Sequence, residues 1–181
     1  MHKRVEKRSS WGKPAELAVL VLVCVALLPV VLLVTPFLIA GMWRSALRKR
    51  RLQRRFHERW GGEGKRLLLV YSNSPHWQTY IEERWLPRLE PIAVVINWSE
   101  RAGWREHHPL EAEIFRAVTG DREYNPVAII IPKTGKMRVI RFWKAFRDYR
   151  HGKDQALRRA EAELEGAVRG AASPARTAGE G

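Results

Sequence analysis

The stretch Val127-Ala128-Ile129-Ile130-Ile131-Pro132-Lys133-Thr134-Gly135-Lys136-Met137-Arg138-Val139-Ile140-Arg141-Phe142 decides how the C-terminal part of this chain folds. Val127–Ile131 is an unbroken apolar run, the pattern of a strand covered on both faces. Pro132-Lys133-Thr134-Gly135 is turn chemistry. Met137–Phe142 then reads as a partner strand, and so short a connection makes the pair an antiparallel hairpin.

Outward from this hairpin the same logic repeats. Leu67–Tyr71 (LLLVY) and Ile92–Ile96 (IAVVI) are two further apolar runs bounded by turn residues. Between them, Ser74-Pro75 offers a helix N-cap and first position, and Trp77, Tyr80, Ile81 and Trp85 share one helical face until Pro87 ends or kinks it. Pro109 opens another helix, with Leu110, Ile114 and Val118 on one side and Gly120 as its C-cap. Trp143, Phe146 and Tyr149 continue as a helix to Gly152. Asp154–Val168 is the last helix, with Leu157, Leu164 and Val168 inward, and 169–181 reads as a disordered tail. The order over 66–168 is βαβαββα. Strands separated by helices pair in parallel, so this is an α/β domain with a small mixed sheet and helices on both faces.

That order resembles the thioredoxin-like family, and one segment is more particular. Tyr124-Asn125-Pro126, the apolar run and Gly135 resemble the family stretch in which a cis-proline opens the third strand and a glycine closes the hairpin turn. The resemblance implies that Pro126 is the cis-proline and Gly135 the turn glycine. The family's C-x-x-C falls where this chain has Asn73-Ser74-Pro75-His76. Dithiol exchange needs a thiolate and a second sulfur. The one cysteine is Cys24, far from that motif, so oxidoreductase chemistry of the family type is excluded.

Toward the N-terminus lies a different solvent. Leu17–Ala40 (LAVLVLVCVALLPVVLLVTPFLIA) is 24 residues without a charge. As a helix it spans about 36 Å, enough for a hydrocarbon core of about 30 Å. Trp11 and Trp43 flank it, where indole rings prefer the headgroup layer. It is too long for the apolar region of a cleaved signal peptide. A single transmembrane pass over 15–43 is therefore expected. The alternative is a re-entrant hairpin bent near Pro29, with both ends on one side.

The net charge of +14 is concentrated beside this segment. Residues 1–14, a basic tail, carry five Lys/Arg against one acid; residues 44–66 carry ten against two. The heavier flank stays in the cytoplasm, which places the C-terminal domain inside. Within 44–65, Leu52, Phe56 and Trp60 recur at i, i+4, i+8, so the stretch reads as an amphipathic juxtamembrane helix. Its apolar side would dip into the bilayer, while Arg48, Lys49, Arg50, Arg51, Arg54 and Arg55 meet anionic lipid. Gly61-Gly62-Glu63-Gly64 then reads as a flexible linker. Nucleic acid uses the same residue types, but a basic run directly after a membrane segment favours lipid.

Candidate chemistry in the domain is sparse. Asn73, Ser74 and His76 follow the first strand, the end where open α/β sheets bind ligands, and the fold would bring them to Asn125 and Pro126 as a polar groove. His107-His108 has no further ligand at metal spacing, so neither metal nor cofactor is expected. Trp98 and Trp104, with the charged loop between them, form either a lid or the edge of a core. Asp121 and Glu123 show no sign of paired-carboxylate catalysis. Arg138, Arg141, Lys144, Arg147 and Arg150 make a basic stripe. Asn97-Trp98-Ser99 matches a glycosylation acceptor, but at a strand end and on the wrong side of the membrane. The sequence thus favours a membrane-anchored binding or scaffolding protein, with a possible protein partner. An interfacial enzyme acting on a membrane-linked or anionic substrate is the alternative.

Overall fold

Helix α1 (Gly12–Trp60) takes in both the apolar segment and the basic stretch after it. The computed structural model describes residues 12–120 and 125–172, so Trp11, the tail beyond Ala172 and the Asp121/Glu123 pair lie outside the description. The chain divides into two compact units, Met1–Ser45 and Ala46–Gly181.

In the first unit α1 carries a stretch long and apolar enough to cross a membrane. Its large apolar side chains are exposed, Leu22 at 72% and Phe37 at 74% among them. Pro29 and Pro36 both lie inside the helix. The chain does not reverse at Pro29, and the re-entrant hairpin is not formed. Prolines are tolerated in such helices where side chains engage the backbone they disturb. The carbonyl left without an N–H by Pro36 is that of Leu32. One residue before it, the Thr35 hydroxyl donates to the Val31 carbonyl at 2.6 Å.

The second unit is built on a four-stranded sheet. After α1 come β1 (Leu67–Tyr71), α2 (Gln78–Tyr80), a π-turn at Ile81–Trp85, α3 (Leu86–Leu89) and β2 (Ala93–Asn97). A 3₁₀ segment (Trp98–Gly103), α4 (Trp104–His107), α5 (Pro109–Thr119), β3 (Val127–Ile130), β4 (Arg138–Arg141), α6 (Trp143–Arg150) and α7 (Gln155–Ala172) follow. The strand order is β2-β1-β3-β4. β1 and β2 are parallel with Leu67 beside Ala93, while β1–β3 and β3–β4 are antiparallel.

Side-chain alternation along the strands divides the core in two. Leu67, Leu69 and Tyr71 of β1, with Ala128 and Ile130 of β3, face one core with Ile81, Trp85, Phe146, Leu157 and Leu164. Leu68 and Val70, with Val127 and Ile129, face the other with Phe115, Trp104, Leu52 and Phe56. Both faces of the sheet are covered, which is why the strands read as continuous apolar runs.

Several expectations need correction. Leu52 and Phe56 are 1% and 0% exposed inside the second core, with Trp60 packed against it, so that side of α1 covers the sheet and is closed to a bilayer. A 3.6-residue stripe states that a helix has an apolar face, not which partner takes it. The folded unit accordingly begins at Ala46 rather than Arg66. Residues 61–64 are an ordered turn rather than a linker: Gly64, at φ 74°, donates its N–H to the Gly61 carbonyl, and Lys65 donates to Trp60. Finally, the helix after β1 starts at Gln78. Ser74 begins a preceding turn, its carbonyl accepting the N–H groups of Trp77 and Gln78. The π-turn places Pro87 just after a widened stretch, where a ring that would crowd the carbonyl four residues back is accommodated.

Helix α7 also runs on to Ala172, so residues 169–172 are helix rather than the start of a disordered tail. At the other helices the reading holds at particular residues. Pro109 is the first residue of α5, Gly120 caps it at φ 83°, and Leu157, Leu164 and Val168 are buried.

Candidate functional site

The ends of β1 and β2 and the start of β3 meet at one edge of the sheet. Val70 pairs with Val127, which sets Pro126 and Asn125 beside the residues that follow β1. The Asn125–Pro126 peptide is cis, as the resemblance implied, and the Phe142 N–H donates to the Pro126 carbonyl at 2.9 Å. Asn125 is 7% exposed, and its Oδ1 has no hydrogen-bond partner among the described residues.

Asn73 turns to a different neighbour. Its Oδ1 accepts from Asn97 Nδ2 at 2.5 Å, and its N–H donates to Ser99 Oγ at 3.1 Å. Asn97 Oδ1 accepts the Ser99 N–H at 2.9 Å, capping the 3₁₀ segment, and the Asn97 carbonyl accepts Trp104 Nε1–H at 2.9 Å. Asn73, Asn97 and Ser99 therefore form a closed set across the two parallel strand ends. The structure brings Asn73 to Asn97 and Ser99, while no hydrogen bond among the described residues joins Asn73, Ser74 or His76 to Asn125.

His76 is exposed and lies edge-on to Trp77 at 6.1 Å between ring centroids. No carboxylate is hydrogen-bonded to it among the described residues, so it lacks the orienting partner of a general base. The buried Trp77 Nε1–H is without an acceptor among the same residues. Below this edge, Tyr71 donates to Glu82 Oε1 at 3.2 Å. Burial, reinforced by Glu82 and Glu100, pushes the Tyr71 phenol up to about 12, so it remains a neutral donor at physiological pH.

The other candidates resolve into packing or surface. Trp104 is 2% exposed and stacks edge-on with Trp98 and Phe115, closing the edge of the second core rather than forming a lid. His107 is exposed beside Glu106. Arg138 pairs with Glu163 and Arg147 with Asp148. Of the arginines expected to meet lipid, Arg48 and Arg55 both pair with Glu113 of α5, and Arg54 pairs with Glu58. Arg50 and Arg51 are exposed, and Lys49 is half-buried.

Two features went unseen in the sequence. Glu111 is 0% exposed, with Trp60 Nε1 donating to its Oε1 at 2.7 Å. A cavity of about 220 Å³ lies between α3 and α7, lined by Trp85, Leu89, Ile92, Leu164 and Val168 with Arg88 and Arg169. Residues far apart in the chain build both, and no local pattern announces either. Asn97 was visible only as part of an N-x-S triplet, whose second meaning is a strand-end Asx cap. No protein-family model, curated protein or solved structure matches the chain.

Proposed function

We propose that this chain is a membrane-anchored binding or scaffolding protein. Its second unit is thioredoxin-like in fold, without redox chemistry, and faces the cytoplasm. The observation that carries the functional part is the closed hydrogen-bond set of Asn73, Asn97 and Ser99, beside a His76 with no carboxylate behind it. Groups that satisfy one another offer a defined surface, and the exposed His76 beside them has no carboxylate to orient it among the described residues. The fold assignment draws on the element order βαβαββα, the parallel β1–β2 pair and the antiparallel β3–β4 hairpin. The anchor draws on the apolar stretch of α1, and the orientation on ten basic residues after it against five before. Anionic lipid on the cytoplasmic leaflet would meet those of the ten that stay exposed without a carboxylate partner among the described residues, Arg50 and Arg51 among them.

The interfacial-enzyme alternative drew support from a hairpin anchor. Since α1 passes Pro29 and Pro36 as helix, that support is gone. The test is site-specific photo-crosslinking in intact cells. A photoreactive residue at His76 is expected to give a discrete protein adduct, and the same residue at exposed Lys133 in the hairpin turn to give none. Equal labelling at both positions, or none at His76, contradicts a binding surface at this end of the sheet.

A further inference from the structure

Two arginines of α1 converge on one carboxylate of α5. Arg48 Nη2 lies 3.3 Å from Glu113 Oε1, and Arg55 Nη1 lies 3.3 Å from Glu113 Oε2. Arg48 and Arg55 are two helical turns apart, so they project from the same side of α1. Arg51 stands between them, three residues from one and four from the other, exposed and with no ion pair among the described residues. Two cations thus hold one anion, with a third cation on the same side of the helix between them.

The geometry is underfilled as well. Each of the paired guanidiniums spends one nitrogen on Glu113, at a distance beyond the roughly 2.7–2.9 Å of a strong charge-assisted bond. A guanidinium has about five N–H donors in a planar fork, suited to bidentate contact with phosphate. Arg48, Arg55 and Glu113 remain 58%, 51% and 36% exposed, so solvent and solutes reach all three. As a latch between two helices, such exposed pairs are weak.

We propose that Arg48, Arg51 and Arg55 form a phosphate-binding cradle in which Glu113 is a built-in occupant that a phosphate monoester displaces. A monoester brings about −1.5 to −2 charge near pH 7 and three acceptor oxygens, so it receives a fork from each arginine where the carboxylate offers each one oxygen. A phosphodiester brings a single charge, no better than Glu113, and leaves it in place. The cradle begins five residues after Trp43, directly beyond the apolar stretch, so the monoester head group of a lipid is the favoured source and free phosphate the other. This inference rests on the membrane-anchored reading.

The test uses the full-length chain in detergent micelles, offered equal amounts of phosphatidic acid and phosphatidylglycerol, with bound lipids counted by native mass spectrometry. The wild type is expected to retain phosphatidic acid several-fold over phosphatidylglycerol. R48Q/R55Q is expected to bring the two to parity, and E113Q to bind both more tightly. A preference that survives R48Q/R55Q overturns the cradle. So does an E113Q variant that melts earlier without gaining lipid, the result expected of a plain latch. Inorganic phosphate that strips bound phosphatidic acid supports the cradle with the free anion as its source, whereas lipid retained against phosphate supports the head group. Wild type that holds both anionic lipids over phosphatidylcholine without discriminating between them overturns the cradle but leaves the anchored reading intact. A chain that stays dispersed after detergent removal, free of lipid, defeats the anchored reading itself.

Discussion

Glu111 sits in the first turn of α5, wholly buried, with one carboxylate oxygen held by the Trp60 indole N–H. A carboxylate at this position meets the positive end of the helix dipole, and the indole supplies its hydrogen bond. Removing that donor leaves a buried polar group unsatisfied. Trp60→Phe is therefore expected to lower unfolding stability by about 1–3 kcal/mol, read by denaturant titration. A variant as stable as wild type would show that the indole bond contributes nothing. Tyr71 makes a prediction in pH. Its folded-state pKa is raised to about 12 from 10.0, chiefly by burial. The folded state therefore keeps the phenolic proton where the unfolded chain loses it, and this contribution, present below pH 10, disappears as pH rises toward 12. Tyr80 shifts in the same direction, through burial and its bond to Glu161, and steepens the fall. Tyr71→Phe is expected to flatten the loss of stability across that window. An unchanged slope would contradict it. None of this was legible in the sequence: Glu111 reads as an ordinary first-turn acid, and Tyr71 as one more apolar strand residue. Partners from distant segments give both their character.

At the scale of elements, the strands were legible and the first helix of the folded unit was not. Leu67–Tyr71 appears as expected because a strand covered on both faces leaves a run that no amphipathic helix would show. The Leu52/Phe56/Trp60 stripe was equally visible but ambiguous, because lipid and a sheet face both accept apolar side chains at 3.6-residue spacing. Its position after the apolar stretch pointed to lipid, while the need of a second sheet face for cover decided otherwise. The difference is measurable. Leu52→Ala and Phe56→Ala should cost about 2–5 kcal/mol of unfolding stability, as buried truncations do. Leu47→Ala, on a residue 59% exposed, should cost little. Similar effects at all three positions would return the stripe to the bilayer. The late start at Gln78 escaped the sequence because Ser74-Pro75 suits a turn as well as a helix N-terminus, and only the Ser74 carbonyl, taken by Trp77 and Gln78, separates the two.

For the whole molecule, an apolar stretch suited to a bilayer, a basic flank and a sheet covered on both faces join in the proposed anchored, cytoplasmic binding protein. The covered faces leave the end of the sheet as the place where strand ends, the cis peptide and, among the described residues, the unpartnered Asn125 Oδ1 and Trp77 Nε1 collect, and contact is proposed there. The basic flank has a divided role: Arg48 and Arg55 meet Glu113 within the folded unit, while Arg50 and Arg51 carry no carboxylate among the described residues. Lys/Arg asymmetry is the physical ground for orientation, since cytoplasmic flanks hold positive charge. The most direct test is topology mapping of the full-length chain with compartment-sensitive reporters fused in turn to each terminus. The account predicts a C-terminal reporter active only in the cytoplasm and an N-terminal reporter active only on the far side. A C-terminus outside the cytoplasm, or both reporters inside, would contradict it.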